Sequence, residues 1–229
     1  MPTNPIHELL NQTASALADG EYLHAALCAR QSLSIARADN DFDTMRRVCM
    51  PMLEAFRFLR QNALETGVVR IITSSSDIPD QPDSSCYLFA PNFVGADALR
   101  FRTAAHDAGI APFVLTREPT TAKNQCPIVA VAERVVRVRI TLPDDTPTTA
   151  WFSAAAETLG DQAIADALNA SSNDDPPSWI VDDFLDRLDA CPEHEKFIMA
   201  LADACAAAIG QPLPTGKRRR GLIDDPYSF

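Results

Sequence analysis

Past Thr66-Gly67 the spacing of apolar residues changes, and that change limits what the chain can fold into. Before it, apolar residues recur every three to four positions, the period of an amphipathic helix. After it come short runs of strand length, Val68-Val69-Arg70-Ile71-Ile72-Thr73 and Cys86-Tyr87-Leu88-Phe89-Ala90. From Thr149 the helical period returns. A helical part, a strand-bearing middle and a second helical part make a mixed α/β protein. The expected organisation is a helical arm over 1–65, an α/β domain with C-terminal helices over 66–210, and a flexible tail over 211–229.

Within the arm, Asn4-Pro5 is a helix start, with Asn as N-cap and Pro at the first helical position. Ile6, Leu9, Leu10, Thr13 and Leu17 follow at helical spacing, and Asp19-Gly20 ends the run. The pattern predicts a second helix from about Tyr22 to Ala36 and a third from about Asp43 to Leu64. Pro51 marks a kink or a late start in the third.

The stretch Gly20-Glu21-Tyr22-Leu23-His24-Ala25-Ala26-Leu27, followed by Ser32-Leu33-Ser34-Ile35-Ala36, resembles the second half of a tetratricopeptide repeat. That family has a Gly-x-Tyr turn, a small residue three beyond the Tyr and another seven later, where paired helices pack closely. Ala25 and Ser32 hold those two places. The first helix departs from the pattern, with Leu9 in place of the usual aromatic and Thr13 in place of the usual Gly. The likeness covers about 4–38, and no second repeat follows in register. Repeat arrays need about three units or more for stability, so the resemblance implies one repeat-like hairpin and not a superhelix. A plain helical bundle with a chance Gly-x-Tyr is the alternative.

In the middle segment, Cys86–Ala90, a helix over Gly95–Ala108 and a strand over Pro112–Thr116 have the spacing of a β-α-β unit, so the small sheet is expected to be mostly parallel. Ile128–Leu142 is strand-rich, either a hairpin turning at Glu133-Arg134 or one long bent strand. Further on, Thr149–Leu168 reads as one helix or as two broken near Gly160. Ser178 is the expected N-cap of a helix through Leu188, and Pro192 the expected start of the last helix, which Gly210 and Pro212 end.

The chain carries a net charge of −11, which argues against general nucleic-acid binding. No apolar run reaches the ~18 residues that cross a bilayer, so no membrane contact is expected. The start MPTNPIHELL lacks a basic n-region and a long apolar core, so a cytoplasmic location is expected rather than secretion. Six cysteines without a C-x-x-C pair then read as buried or free thiols. Charge is segregated: over 144–195, Arg187 is the only base among thirteen acids, whereas 217–220 is Lys-Arg-Arg-Arg.

Motifs for catalysis fail one by one. There is no P-loop, no G-x-G-x-x-G after a strand and no G-x-S-x-G elbow, and eight glycines leave little for a phosphate cradle. No Cys-His or Ser-His-Asp set assembles from spacing, and no cofactor is implied. Cys191, His194 and a neighbouring carboxylate fall short of the four ligands of a structural zinc site. The bland account is an acidic first turn of a helix at Pro192-Glu193. Asp182-Asp183-x-x-Asp186 has the D-D-x-x-D spacing with which isoprenoid synthases hold magnesium, and a solvated acidic helix face accounts for the same residues. Arg137 and Arg139 form a stripe that could meet phosphate, or more cheaply the acidic C-terminal helices.

Two sites remain. Open parallel sheets bind ligands beyond the carboxyl ends of their strands, which points to Ser74, Asn92, Gly95, Asp97 and Arg117. The tail combines a basic cluster, Lys217, Arg218, Arg219 and Arg220, with the aromatics Tyr227 and Phe229, a combination suited to ordering on a protein partner, with nucleic acid only as a contact of the basic cluster. The hairpin, the segregated charge and the tail favour a non-catalytic interaction protein, an adaptor or complex subunit. A small-molecule binder or enzyme using the strand-end pocket is the alternative.

Overall fold

The computed structural model describes residues 5–119, 125–143, 145–172 and 175–215. Helices α1 (Pro5–Ala18), α2 (Tyr22–Ala38) and α3 (Phe42–Glu65) pack each against the next. The turns between them are set by two left-handed residues, Gly20 at φ +77° and Asn40 at φ +56°, glycine and asparagine being the residues that enter this region most cheaply. The Asp41 carboxylate then accepts the Thr44 N–H at 3.0 Å and caps α3. Ala25 and Ser32 are fully buried in the hairpin. The buried hydroxyls of Thr13 and Ser32 donate to the carbonyls of Leu9 and Cys28, one turn back, and so are satisfied locally. Helix α3 starts at Phe42 and continues through Pro51.

Five strands follow: β1 (Val69–Ile72), β2 (Cys86–Phe89), β3 (Phe113–Arg117), β4 (Gln125–Ala130) and β5 (Val136–Thr141), with α4 (Gly95–Asp107) between β2 and β3. They lie side by side in chain order as one mixed sheet. The β1–β2 and β2–β3 ladders are parallel, so the β-α-β unit forms as the spacing predicts. The chain then reverses, and β3–β4 and β4–β5 are antiparallel. Ile128–Leu142 is thus a hairpin strand pair, with 131–135 as the loop. Side chains alternate across the sheet. Cys86, Leu88, Phe113, Leu115, Cys126, Ile128 and Val136 face a large core, whereas Ile72, Tyr87 and Phe89 face α4 in a smaller aromatic one. β2 is buried on both faces, which is why it reads as a continuous apolar run.

Three more helices complete the large core: α5 (Thr149–Asn169), α6 (Pro177–Leu188) and α7 (Glu195–Ala208). α5 lies on β4 and β5, and α7 fills the space between α3, α5 and α6. One continuous apolar core therefore runs from Ile6 in α1 to Ala208 in α7, and the helices of the arm share it with the sheet. Two helix starts differ from the sequence reading. Pro176 precedes α6 and Ser178 is buried inside it. The last helix begins at Glu195 with His194 as its cap, so Pro192 and Glu193 belong to the preceding loop. Among the described residues no helix is long and apolar enough to cross a membrane.

α5 passes unbroken through Gly160 because the glycine there serves tertiary packing. The His194 imidazole lies against its backbone, and a Cβ at 160 would overlap the ring. Helix propensity alone gives Gly160→Ala a gain of about 1 kcal/mol. Overlap in a packed core costs about 1–3 kcal/mol or more. Gly160→Ala is expected to lower the urea midpoint in chemical unfolding, and adding His194→Ala is expected to recover part of the loss.

Candidate functional site

The register puts Thr73, Ala90 and Arg117 at neighbouring strand ends, so the expected ligand loops do share one edge of the sheet. Their polar groups are largely committed to each other. The Asp77 carboxylate accepts from the Thr73 N–H and Oγ1–H and from the Ser74 N–H, at 2.7–2.9 Å, which lowers its pKa to about 2. Ser74 Oγ shares a hydrogen bond with Ser76. Asp97 accepts the Val94 N–H at 2.8 Å and pairs with Arg100, so α4 is capped by its own carboxylate at the end where an anion would sit. Asn92 is exposed with φ +99°. Arg117 is half-buried at the end of β3.

Of the five residues, Gly95 alone lines one of the three clefts described here. That cleft runs along α4 between Gly95 and Arg102, over Val114, Thr116 and Val129–Val131, and ends at Asp189-Ala190. A Cβ on Gly95 would come within 2.6 Å of Val131, so the glycine permits this close approach. Thr116 is buried, and its hydroxyl has no hydrogen-bond partner among the described residues.

The D-D-x-x-D carboxylates are engaged by other side chains of the protein rather than grouped for a metal among the described residues. Asp182 accepts two hydrogen bonds from Arg37 of α2, at 2.7 and 2.9 Å. Asp183 is buried, accepts from Ser171 at 2.7 Å and lies 4.0 Å from Arg187. Asp186 faces Arg134 of the β4–β5 loop at 3.8 Å, and its carbonyl accepts the Arg134 N–H at 2.9 Å. Asp182 and Asp186 thus clamp α6 to α2 and to the β4–β5 loop, and Asp183 is satisfied by Ser171 and by Arg187 of α6 itself. Arg137 meets Glu118 at 2.7 Å, and Arg139 is exposed. No group of three or more His, Cys, Asp or Glu suited to a metal occurs among the described residues.

All three clefts border the connection from α6 to α7, Asp189–His194. From Ala190 to His194 it is buried throughout, unusual for a loop because its backbone and side-chain polar groups must then be satisfied inside. Arg30 of α2 pairs with the Asp189 carboxylate, and Arg102 of α4 donates to the Asp189 carbonyl. Arg60 of α3 holds Glu157 and Ser153 of α5. The His194 Nδ1 accepts the Phe197 N–H at 3.1 Å, which leaves the proton on Nε2. Nε2 lies 3.3 Å from Glu157 and 3.4 Å from Asp161, out of line for a good hydrogen bond. Burial lowers the His194 pKa although both carboxylates oppose it.

Glu193 is buried among these groups. Burial raises its pKa, and Arg102, Arg30 and Arg60 hold it down from a distance. His106 is lowered to about 4 by burial and by Arg102 and Arg30. The clefts on either side of Glu193 are about 10 Å³ each, at the lower edge of what one water needs. The site is a buried charge network in which the clefts beside Glu193 are each about the size of one water.

One pairing escaped the spacing search. His24 and Cys28 are one turn apart on α2, and the Cys28 Sγ lies 3.7 Å from His24 Nε2 and 3.7 Å from Gln12 Oε1 of α1. The i, i+4 spacing was the signal that could have found it. The tail residues Lys217, Arg218, Arg219, Arg220, Tyr227 and Phe229 lie outside the described residues. No family model matches the chain, and neither a curated protein nor a solved structure matches it.

The lowered histidines set the acid response. Below the unfolded value of 6.5 an unfolded chain takes up protons that folded His106, at about 4, refuses, so stability is lost as pH falls between those values. Urea unfolding from pH 7 to pH 4.5 is expected to show a decline on the order of 2 kcal/mol from this residue, smaller in His106→Gln. Magnesium is expected to leave the melting temperature unchanged. Asp182→Ala is expected to cost about 1 kcal/mol or less in urea unfolding, by leaving Arg37 without its bidentate partner.

Proposed function

We propose that the chain is a non-catalytic interaction protein, an adaptor or subunit of a larger assembly. The observation that carries this reading is the internal use of its chemistry-bearing side chains: the carboxylates of α6 are held by Arg37, Arg134 and Arg187, and the strand-end serines and Asp97 by local caps. The α1–α2 hairpin, similar to a tetratricopeptide unit, supports it, since Ala25 and Ser32 give the close helix packing that such a scaffold uses. The tail supplies the recognition element, its Lys-Arg-Arg-Arg cluster engaging an acidic partner surface and Tyr227 and Phe229 anchoring in apolar pockets.

A second reading, a small-ligand binder, rests on the α4 cleft, where the buried Thr116 hydroxyl has no partner among the described residues. Affinity capture from native extract separates the two. Full-length protein is expected to retain a partner that a chain ending at Gly210 loses, while Asn92→Ala/Arg117→Ala retains it. Equal capture by full-length and truncated protein would remove the tail from the proposal. A metabolite that raises the melting temperature of wild type but not of Thr116→Val would favour the second reading.

A further inference from the structure

We propose, on the small-ligand reading of the α4 cleft, that this cleft binds the carboxylate of a small organic monoacid, with Arg102 and Thr116 as its polar contacts. Gly95, Ala98, Leu99 and Arg102 recur at i, i+3, i+4 and i+7, so one face of α4 forms a wall of the cleft. Val114 and Thr116 of β3 form the floor with Val129 of β4, which lies beside Thr116 in the β3–β4 register. Val131 packs against the Gly95 backbone at one end, and Asp189 stands at the other.

Two polar groups in this cleft lack the partners that their kind has elsewhere in the chain. Thr116 is 1% exposed, and its hydroxyl has no hydrogen-bond partner among the described residues, a costly state for a group shut away from water. Arg30, Arg37, Arg60, Arg134, Arg137 and Arg187 each lie within 4.0 Å of a carboxylate. Arg102 is half-buried like most of them, yet has no such carboxylate among the described residues. It donates to the main-chain carbonyl of Asp189, which leaves most of its N–H groups free for a ligand. A carboxylate between the two groups accepts from the guanidinium and from the Thr116 hydroxyl, and so serves both. The remaining lining narrows the ligand further. Ala98, Leu99, Val114 and Val129 suit a short hydrocarbon. The Asp189 carboxylate, though paired with Arg30, opposes a second negative charge and favours a monoanion over phosphate or a dicarboxylate. The cleft is about 20 Å³ and open to solvent, so it takes a head group and leaves a longer chain at its mouth.

The test is a titration of the full-length chain with sodium propionate, followed by amide nuclear magnetic resonance shifts. Sodium chloride holds the ionic strength constant, and propionamide serves as the uncharged isostere. Wild type is expected to show saturable shifts at Gly95, Thr116 and Val131 with propionate and none with propionamide. Thr116→Val keeps the shape of the side chain and removes the hydroxyl. It is expected to weaken propionate binding about tenfold, and to raise the melting temperature of the free protein, since an unpartnered buried hydroxyl has gone. Arg102→Gln is expected to abolish binding. Saturable shifts that Thr116→Val leaves unchanged would overturn the site. Thr116-dependent binding of propionamide with no binding of propionate would overturn the carboxylate and keep the cleft as a ligand site. Saturation by neither compound would overturn both.

Discussion

The fold depends on how the connection between α6 and α7 is buried. An irregular segment inside a core leaves peptide groups and side-chain charges without water, and each must be met by a partner or carry a penalty of about 1–3 kcal/mol. Here the partners come from nearly every layer: Arg30 from α2, Arg60 from α3, Arg102 from α4, and Glu157 and Gly160 from α5. The helices cannot shift independently, because each holds a part of the same buried network. This is also why the arm does not stand apart from the sheet.

The acidic C-terminal third shows how a strong sequence signal can be absorbed by structure. Thirteen acids with one base look like a solvated face or a cation site, depending on how the spacing is read. In three dimensions the bases come from elsewhere in the chain: Arg37 is 145 residues from Asp182, and Arg30 is 159 residues from Asp189. Such pairs are invisible to any local window. Their value lies less in net stability, since half-exposed ion pairs contribute about 1 kcal/mol or less, than in fixing which face of α6 meets α2.

Elements with a clear period were legible from sequence. The three first helices, the β2-α4-β3 unit and α7 follow from apolar spacing and from the turn residues Gly20, Asn40 and Gly109. What was not legible depended on long-range contacts. The sequence leaves open whether Gly160 breaks the helix until the His194 ring is placed against it, and Pro192-Glu193 reads as a helical first turn until the loop is seen to be enclosed. The strand-end loops were correctly located at one sheet edge, yet Asp77 and Asp97 had already taken up the groups that a ligand would use.

The position of α7 bears on synthesis. Its apolar residues cover α3, whose own buried stripe includes Val48, Cys49 and Met52. On a growing chain the first three helices and the whole sheet emerge while the side of α3 that α7 covers is still open, and it stays open until residues near 208 are made. Domains fold most safely when each part can bury its surface as it appears. Closure of this core waits for α7, so the nascent chain carries an open apolar seam until that helix is made, and truncation before α7 leaves the seam open for good.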